Sequence, residues 1–297
     1  MFQLISDSAC EFTNDEVQKH GIEVVPFYVT LDQETYLKEG IDITKEAYFT
    51  RLSNDKSLFP KTAQPSPQDY IDVYTPYLTA GRDIIALTIS SKLSGSYNSA
   101  ILAASTLQEE FPERTIMVVD SLNCAVGQGL ILKEMVRMRD NGLDIHKTAD
   151  LAKEVIKTTK IYFSLDTLEY LKKGGRVGPT TALVGGILGL RPILHLVDGA
   201  VEQLDSVRGK AKVLKLIEDG VVAALKDDIA NINYSVGHIL READAAAFNT
   251  NLETALGAPS ANPVVSIGAA LGTHAGPGAI AIAYCKKYES FAVQLAA

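Results

Sequence analysis

Ser90-Ser91-Lys92-Leu93-Ser94-Gly95-Ser96-Tyr97-Asn98 sets four serines and a tyrosine directly after the apolar run Asp83-Ile84-Ile85-Ala86-Leu87-Thr88-Ile89. A strand that ends where a helix begins leaves free backbone N–H groups and the positive end of a helix dipole, which together attract an anion. The serine hydroxyls add donors there, and Gly95 lets the backbone approach a ligand closely. A Ser-rich helix cap accounts for the same residues, and the local pattern leaves both readings open. The run is no phosphate-binding P-loop, because G-x-x-x-x-G-K-[ST] occurs nowhere in the chain. It is no nucleophile elbow either, since Lys92 rather than glycine stands two before Ser94.

Three further stretches carry chemistry. In Lys61-Thr62-Ala63-Gln64-Pro65-Ser66-Pro67, two prolines enforce an extended approach to a helix, which can hold the Thr62 hydroxyl toward a cleft. A capped loop with Thr62 in solvent is the other reading. In Gly272-Thr273-His274-Ala275-Gly276-Pro277-Gly278, burial disfavours an imidazolium, so His274 suits donation to a carboxylate better than work as a base. A satisfied core histidine is the plainer alternative. In Tyr170-Leu171-Lys172-Lys173-Gly174-Gly175-Arg176, the cations Lys172, Lys173 and Arg176 make a local basic spot. It serves as a helix C-terminus with a glycine stop, or as a docking point for an anionic group. Asp7 and Asp120 each follow a strand and are expected to cap helices rather than touch a ligand. Together these residues supply hydroxyls, amides and one histidine, with no nucleophile–base pair and no cluster of metal ligands. They describe a pocket for an amphiphile with a small anionic head. Each buried methylene contributes roughly 0.8 kcal/mol, so the head need only orient a chain held by its apolar length.

The composition narrows the partners. The chain has 297 residues with 28 Lys+Arg against 36 Asp+Glu, a net charge of −8. That acidity lacks the basic footprint of nucleic-acid binding and predicts only transient contact with anionic membranes. Three cysteines (Cys10, Cys124, Cys285) form no C-x-x-C and signal neither a disulfide framework nor a zinc cluster, which fits a cytoplasmic location. The first seven residues show no basic segment of a signal peptide. Residues 262–285 run without Asp, Glu, Lys or Arg, but Pro263, Pro277 and four glycines suit a buried strand-loop-strand rather than a membrane helix.

These residues need elements to position them. Residues 2–6, 22–29, 83–89 and 115–119 read as strands, and 67–80, 98–111, 127–139 and 144–158 as helices, with Ser66 as an N-cap. Apolar strands alternating with helices predict a parallel α/β sheet whose post-strand loops gather at one edge. The second half reads as strand 161–164, helices 166–173 and 180–189, and a hairpin of 191–196 with 200–206 around Asp198-Gly199. Helix 213–225, strand 231–236, helix 241–255 and strands 264–267 and 279–284 then complete a mixed sheet. The length and the change of pattern predict two domains, 1–159 and 160–288, with 289–297 as a tail.

In this order the motifs resemble the DegV family of bacterial fatty-acid-binding proteins, from Ser6-Asp7-Ser8 through Thr62-Ala63-Gln64-Pro65-Ser66, Leu93-Ser94-Gly95, Lys173-Gly174-Gly175-Arg176 and Arg191-Pro192 to the glycine-flanked His274. Ala63 and Arg191 depart mildly from the family pattern, where Ser and Lys are usual. The resemblance implies a two-domain α/β fold, Rossmann-like in its N-terminal parallel-sheet domain and mixed-sheet in its C-terminal domain, with a long-chain fatty acid bound between them. It implies a carboxylate held by Thr62, Ser94, the Gly95 amide and His274, with Arg176, Lys172 and Lys173 as the head-group or partner contact. It also implies no catalytic residue, no metal and no cofactor. The chain would act as a non-catalytic subunit that presents its ligand to the catalytic subunit of a fatty acid kinase. A hydrolase or acyltransferase using Ser94 and His274, and a binding module for another small anion, are the competing expectations.

Overall fold

The computed structural model describes residues 2–55, 58, 60–176 and 190–292. In chain order the strands are β1 (Gln3–Asp7), β2 (Glu23–Val25), β3 (Tyr28–Thr30), β4 (Leu37–Lys38), β5 (Lys61–Ala63), β6 (Ile84–Thr88) and β7 (Ile116–Asp120) in the first half. The second half contributes β8 (Lys160–Ser164), β9 (Leu190–Val197), β10 (Ala200–Arg208), β11 (Ile232–His238), β12 (Val265–Ser266) and β13 (Ile280–Lys286). The helices are α1 (Asn14–His20), α2 (Lys45–Asn54), α3 (Pro67–Thr79), α4 (Ser96–Glu110), α5 (Ala125–Asp140) and α6 (Ile145–Thr158). They continue with α7 (Glu169–Gly174), α8 (Lys210–Leu225), α9 (Glu242–Leu256), α10 (Ala269–Ala275) and α11 (Glu289–Ala292).

Among the described residues, the first half builds a parallel sheet in the order β2-β1-β6-β7, and the second a mixed sheet in the order β10-β9-β8-β13-β11-β12. The expected α/β class therefore holds. After β1 the chain turns to β2 on one side, and β6 and β7 are laid down on the other. Such a reversal leaves a crevice at the carboxyl ends of β1 and β6, which is where open α/β sheets bind ligands. Asp7 and the 90–95 loop stand there. A small antiparallel sheet, β4-β3-β5, brings Thr62 alongside Val29.

Helix α5 is buried along most of its length and packs on β1 and β6 of one sheet and on β11 and β13 of the other. A helix apolar on nearly every face belongs in such an interior layer. The largest apolar cluster accordingly runs from Phe2 to Tyr288 without a gap at residues 159–160. Separate clusters lie beneath α8 and α9, and beneath α3 and α4.

Several local expectations hold and several do not. Ser66 caps α3 through the Asp69 N–H, and Asp198 and Gly199 take the positive φ values, 47° and 83°, that a tight two-residue hairpin turn requires. The single strand expected over 22–29 is two, β2 and β3, in different sheets. Pro26 between them lacks the N–H that a continuous ladder needs. The strand-loop-strand expected over 262–285 is β12, then the short helix α10, then β13, so His274 is helical. The helix expected from residue 166 begins at Glu169. The helix expected over 180–189 lies outside the described residues. No described helix is long and apolar enough to cross a membrane.

Candidate functional site

The 90–95 loop is braced from behind by two aspartates: Asp7 stands at the N-cap of the 3-10 turn Ser8–Cys10 as expected, though without a side-chain cap bond, whereas Cys124 rather than Asp120 caps α5. Asp7 accepts the Ile89 N–H at 2.9 Å, the Ser96 hydroxyl at 2.7 Å and the Gln128 amide at 2.8 Å. Asp120 accepts the Ser91 N–H at 3.2 Å and the Leu122 N–H at 2.9 Å. Burial outweighs the donors around Asp7 and pushes its carboxyl up to about 6. Within the loop, the Ser94 hydroxyl accepts the Ser96 N–H at 3.2 Å. The Gly95 N–H has no hydrogen-bond partner among the described residues. A Cβ on Gly95 would stand 2.4 Å from the Gln64 amide nitrogen, so the glycine makes room for Gln64 to lie across the loop. Ser90 donates to the Gly199 carbonyl at 2.8 Å and docks the second-half hairpin onto this wall.

The second wall is α10. Its Thr273 hydroxyl lies 2.6 Å from the Tyr48 hydroxyl on α2. His274, one residue on, places Nε2 2.8 Å from Thr62 Oγ1 on β5. The other ring nitrogen, Nδ1, is buried without a partner among the described residues. Burial, and secondarily the Arg176 charge, push the imidazole down to about 4, so it is neutral near pH 7. The ring rests on Gly174, where a Cβ would come within 2.1 Å of Nδ1. Arg176 links the walls, donating from Nη1 to the Gly174 carbonyl at 2.5 Å and from Nε to the Leu93 carbonyl at 3.2 Å.

Thr62, His274 and Arg176 stand at the junction of two chambers, since each lines both. The first, called the inner channel, has ≈ 130 Å³ and is lined from both halves, by Ser94 and by walls such as Phe27, Ile89, Phe163, Val201 and Ala281. The second, called the vestibule, has ≈ 700 Å³ and is bounded by Phe49, Lys61, Tyr170 and Lys173. Lys173 is ion-paired with Glu169 at 2.9 Å on the vestibule rim, while Lys172 is exposed and lines neither chamber. Such a lining sets polar and cationic side chains beside an apolar surface.

Among the described residues, no hydrogen bond joins the Ser94 hydroxyl to His274. A serine nucleophile needs a histidine base whose second nitrogen is held by an acid. Here Nε2 of His274 is engaged by Thr62, and Nδ1 has no partner among the described residues. No group of three or more His, Cys, Asp or Glu among the described residues could hold a metal ion. Motif reading missed Gln64 as a wall of the channel, and it missed Glu11 and Glu39, which fasten α10. No shared motif flags those two carboxylates.

The parallel and mixed sheets, with a cavity lined from both halves of the chain, make this an α/β protein. The chain belongs to the DegV family: the family model, described as an uncharacterised protein family, DegV, matches residues 1–287. A DegV domain-containing protein of Clostridium perfringens is 32% identical over 288 residues, covering 96% of this chain and 99% of that one. Among solved structures, a stearic-acid-binding protein from Eubacterium ventriosum superposes with a TM-score of 0.92 at 32% identity, covering 98% of this chain and 100% of that one. A DegV family protein from Thermus thermophilus, described by its fatty acid binding, matches with a TM-score of 0.86 at 30% identity, covering 96% and 99%.

Proposed function

We propose that this chain binds a long-chain fatty acid in the inner channel and presents its carboxylate at the Thr62–His274–Arg176 junction. The single observation that carries the reading is that junction, a polar ring shared by an apolar channel and a vestibule. Each enclosed methylene contributes about 0.8 kcal/mol, and the ring supplies the donors a buried carboxylate requires. Of the two neutral tautomers of His274, the one with the proton on Nε2 is productive. It donates to Thr62 Oγ1 and frees the threonine hydroxyl proton for the carboxylate. His274 thereby acts through Thr62, with Ser94 and the Gly95 N–H as the remaining donors.

The wider role we propose is that of a non-catalytic, cytoplasmic carrier. It takes an acyl chain during brief membrane contact and presents the carboxylate through the vestibule to the catalytic subunit of a fatty acid kinase for acyl-phosphate formation. The family resemblance and the open vestibule beside Arg176 support this reading. Native mass spectrometry of the recombinant protein, followed by identification of the lipid released on denaturation, tests the first step. The expected result is a stoichiometric fatty acid. Lipid-free protein that takes up no added long-chain fatty acid overturns the reading, and an exchangeable hydrophilic anion replaces it with a different binding module.

A further inference from the structure

Away from the junction, two acidic side chains meet at the first turn of α10. Glu11 Oε2 accepts the Gly268 N–H at 2.8 Å, and Glu39 Oε1 accepts the Ala270 N–H at 3.0 Å. Both crowd one point, because a Cβ on Gly268 would stand 2.4 Å from Glu39 Oε1 and 3.3 Å from Glu11 Oε2. Both come from the first half of the chain, whereas α10 belongs to the second. Glu11 reaches its place with a φ of 59°, a left-handed conformation that non-glycine residues adopt at a cost. Glu39 is steadied by the Ser8 hydroxyl at 2.7 Å, and Lys45 approaches from α2 to donate to the Ser266 carbonyl at 2.9 Å.

We propose that Glu11 and Glu39 form a one-proton clamp that fastens α10 to the first half, and that losing the proton loosens α10 and the Thr62–His274 contact it carries. Two half-buried carboxylates crowded at one helix turn resist ionising at the same time, so one proton belongs to the pair. Burial, reinforced by the Glu39 charge, pushes Glu11 up to about 8, and burial also raises Glu39.

Among the groups facing the pair, Lys45 opposes the rise of both carboxyls without cancelling it, and Tyr48, beside Glu39, is pushed up to about 12 by burial. Cys10 and Cys124 are pushed up to about 12 by burial. Behind Glu11, Glu16 and Lys133 are ion-paired at 3.0 Å. His238, which faces Lys45, is lowered by burial. A carboxyl raised in the folded state binds its proton more tightly there than in the unfolded chain. Its stabilising contribution is full at acid pH and is lost as pH rises through about 8.

The test compares chemical unfolding of the wild type, Glu11→Gln and Glu39→Gln between about pH 7 and pH 9. The wild-type midpoint is expected to fall with rising pH, and the fall is expected to shrink by half or more in each variant. Variants that keep the wild-type slope overturn the clamp. Infrared spectroscopy of the wild type needs no variant. A protonated carboxyl stretch at neutral pH that disappears near pH 8 supports the clamp, and its absence at neutral pH overturns it. Release of a fluorescent fatty acid is expected to quicken several-fold over the same range in the wild type but not in Glu11→Gln, and an equal acceleration in both overturns the link to the junction. Only this release arm rests on the acyl-binding reading. Failure to load any fatty acid counts against that reading, while the unfolding and infrared results still decide the clamp.

Discussion

The 90–95 loop and α10 form two walls of one junction, and both are fastened from behind by carboxylates, Asp7 buried and Glu11 and Glu39 half-buried, which meet different company. Asp7 collects donors from Ile89, Ser96 and Gln128. Glu11 and Glu39 take helix amides at one turn while facing each other. A carboxylate surrounded by donors ionises at neutral pH despite burial, and its wall stays fixed. A crowded pair stays whole only while it keeps a proton. The lesson is that a site can have one rigid wall and one conditional wall, according to what the carboxylates behind each wall face.

The strongest way to break this contrast is at Asp7. Asn in its place presents an N–H₂ to a donor already aimed there, so Asp7→Asn is expected to lose ~3 kcal/mol of stability near pH 7.5. Urea unfolding measures it, and a loss under ~1 kcal/mol would show that the aspartate is not what holds the loop. The sign with pH follows from the raised carboxyl of about 6. The Asp7 contribution is full below the unfolded carboxylate range and declines as pH rises through about 6. Wild type should show that decline and Asp7→Asn should not.

The difference between the walls also explains what the sequence makes readable. The β6 run Ile84–Thr88 is buried on both faces, so its apolar pattern is uninterrupted and the loop after it can be located by inspection. Thr62, Ser94, Arg176 and His274 announce themselves as donors among small residues, and the structure brings all four to the inner channel. By contrast, β5 has three residues and begins with an exposed lysine, and α10 is a seven-residue helix, Ala-Ala-Leu-Gly-Thr-His-Ala, too short to show an amphipathic period. Neither carries a local signal, so tertiary packing alone defines them. Glu11 and Glu39 are separated by α1, β2, β3 and β4, and only the fold makes them neighbours.

Gly174→Ala sharpens the contrast on the α10 side, because affinity and stability should part company. Alanine is the better helix former by ~1 kcal/mol, so global stability should change little. The new methyl, however, occupies the place of the His274 ring. Fatty-acid affinity is expected to fall ~30-fold, equivalent to ~2 kcal/mol, by titration calorimetry. Unchanged affinity would mean that the ring moves without consequence. Thr62→Val is the smaller version of the same disturbance. It removes one hydroxyl donor and should weaken binding ~10-fold while lowering stability by under ~1 kcal/mol. A stability loss larger than the affinity loss would make Thr62 a structural tie between the walls rather than a head-group contact.

The finest effect lies in the titration of His274 itself. Burial and Arg176 hold the ring down to about 4, so the unfolded chain binds a proton that the folded one refuses between there and the ordinary histidine range. Stability from this residue is therefore present at neutral pH and lost as pH falls toward about 4, the opposite slope to that of the glutamate clamp. A carboxylate seated on Thr62 would stand close to the ring and favour the imidazolium. The His274 titration followed by NMR is then expected to move up by ~1 unit when a fatty acid is added, equivalent to ~1.4 kcal/mol of coupling. An upward shift that survives in Thr62→Val would indicate a direct contact between ring and head group. A shift abolished in that variant would leave His274 acting through the threonine alone. No shift in either protein would move the head group away from α10 and leave the 90–95 loop as its seat.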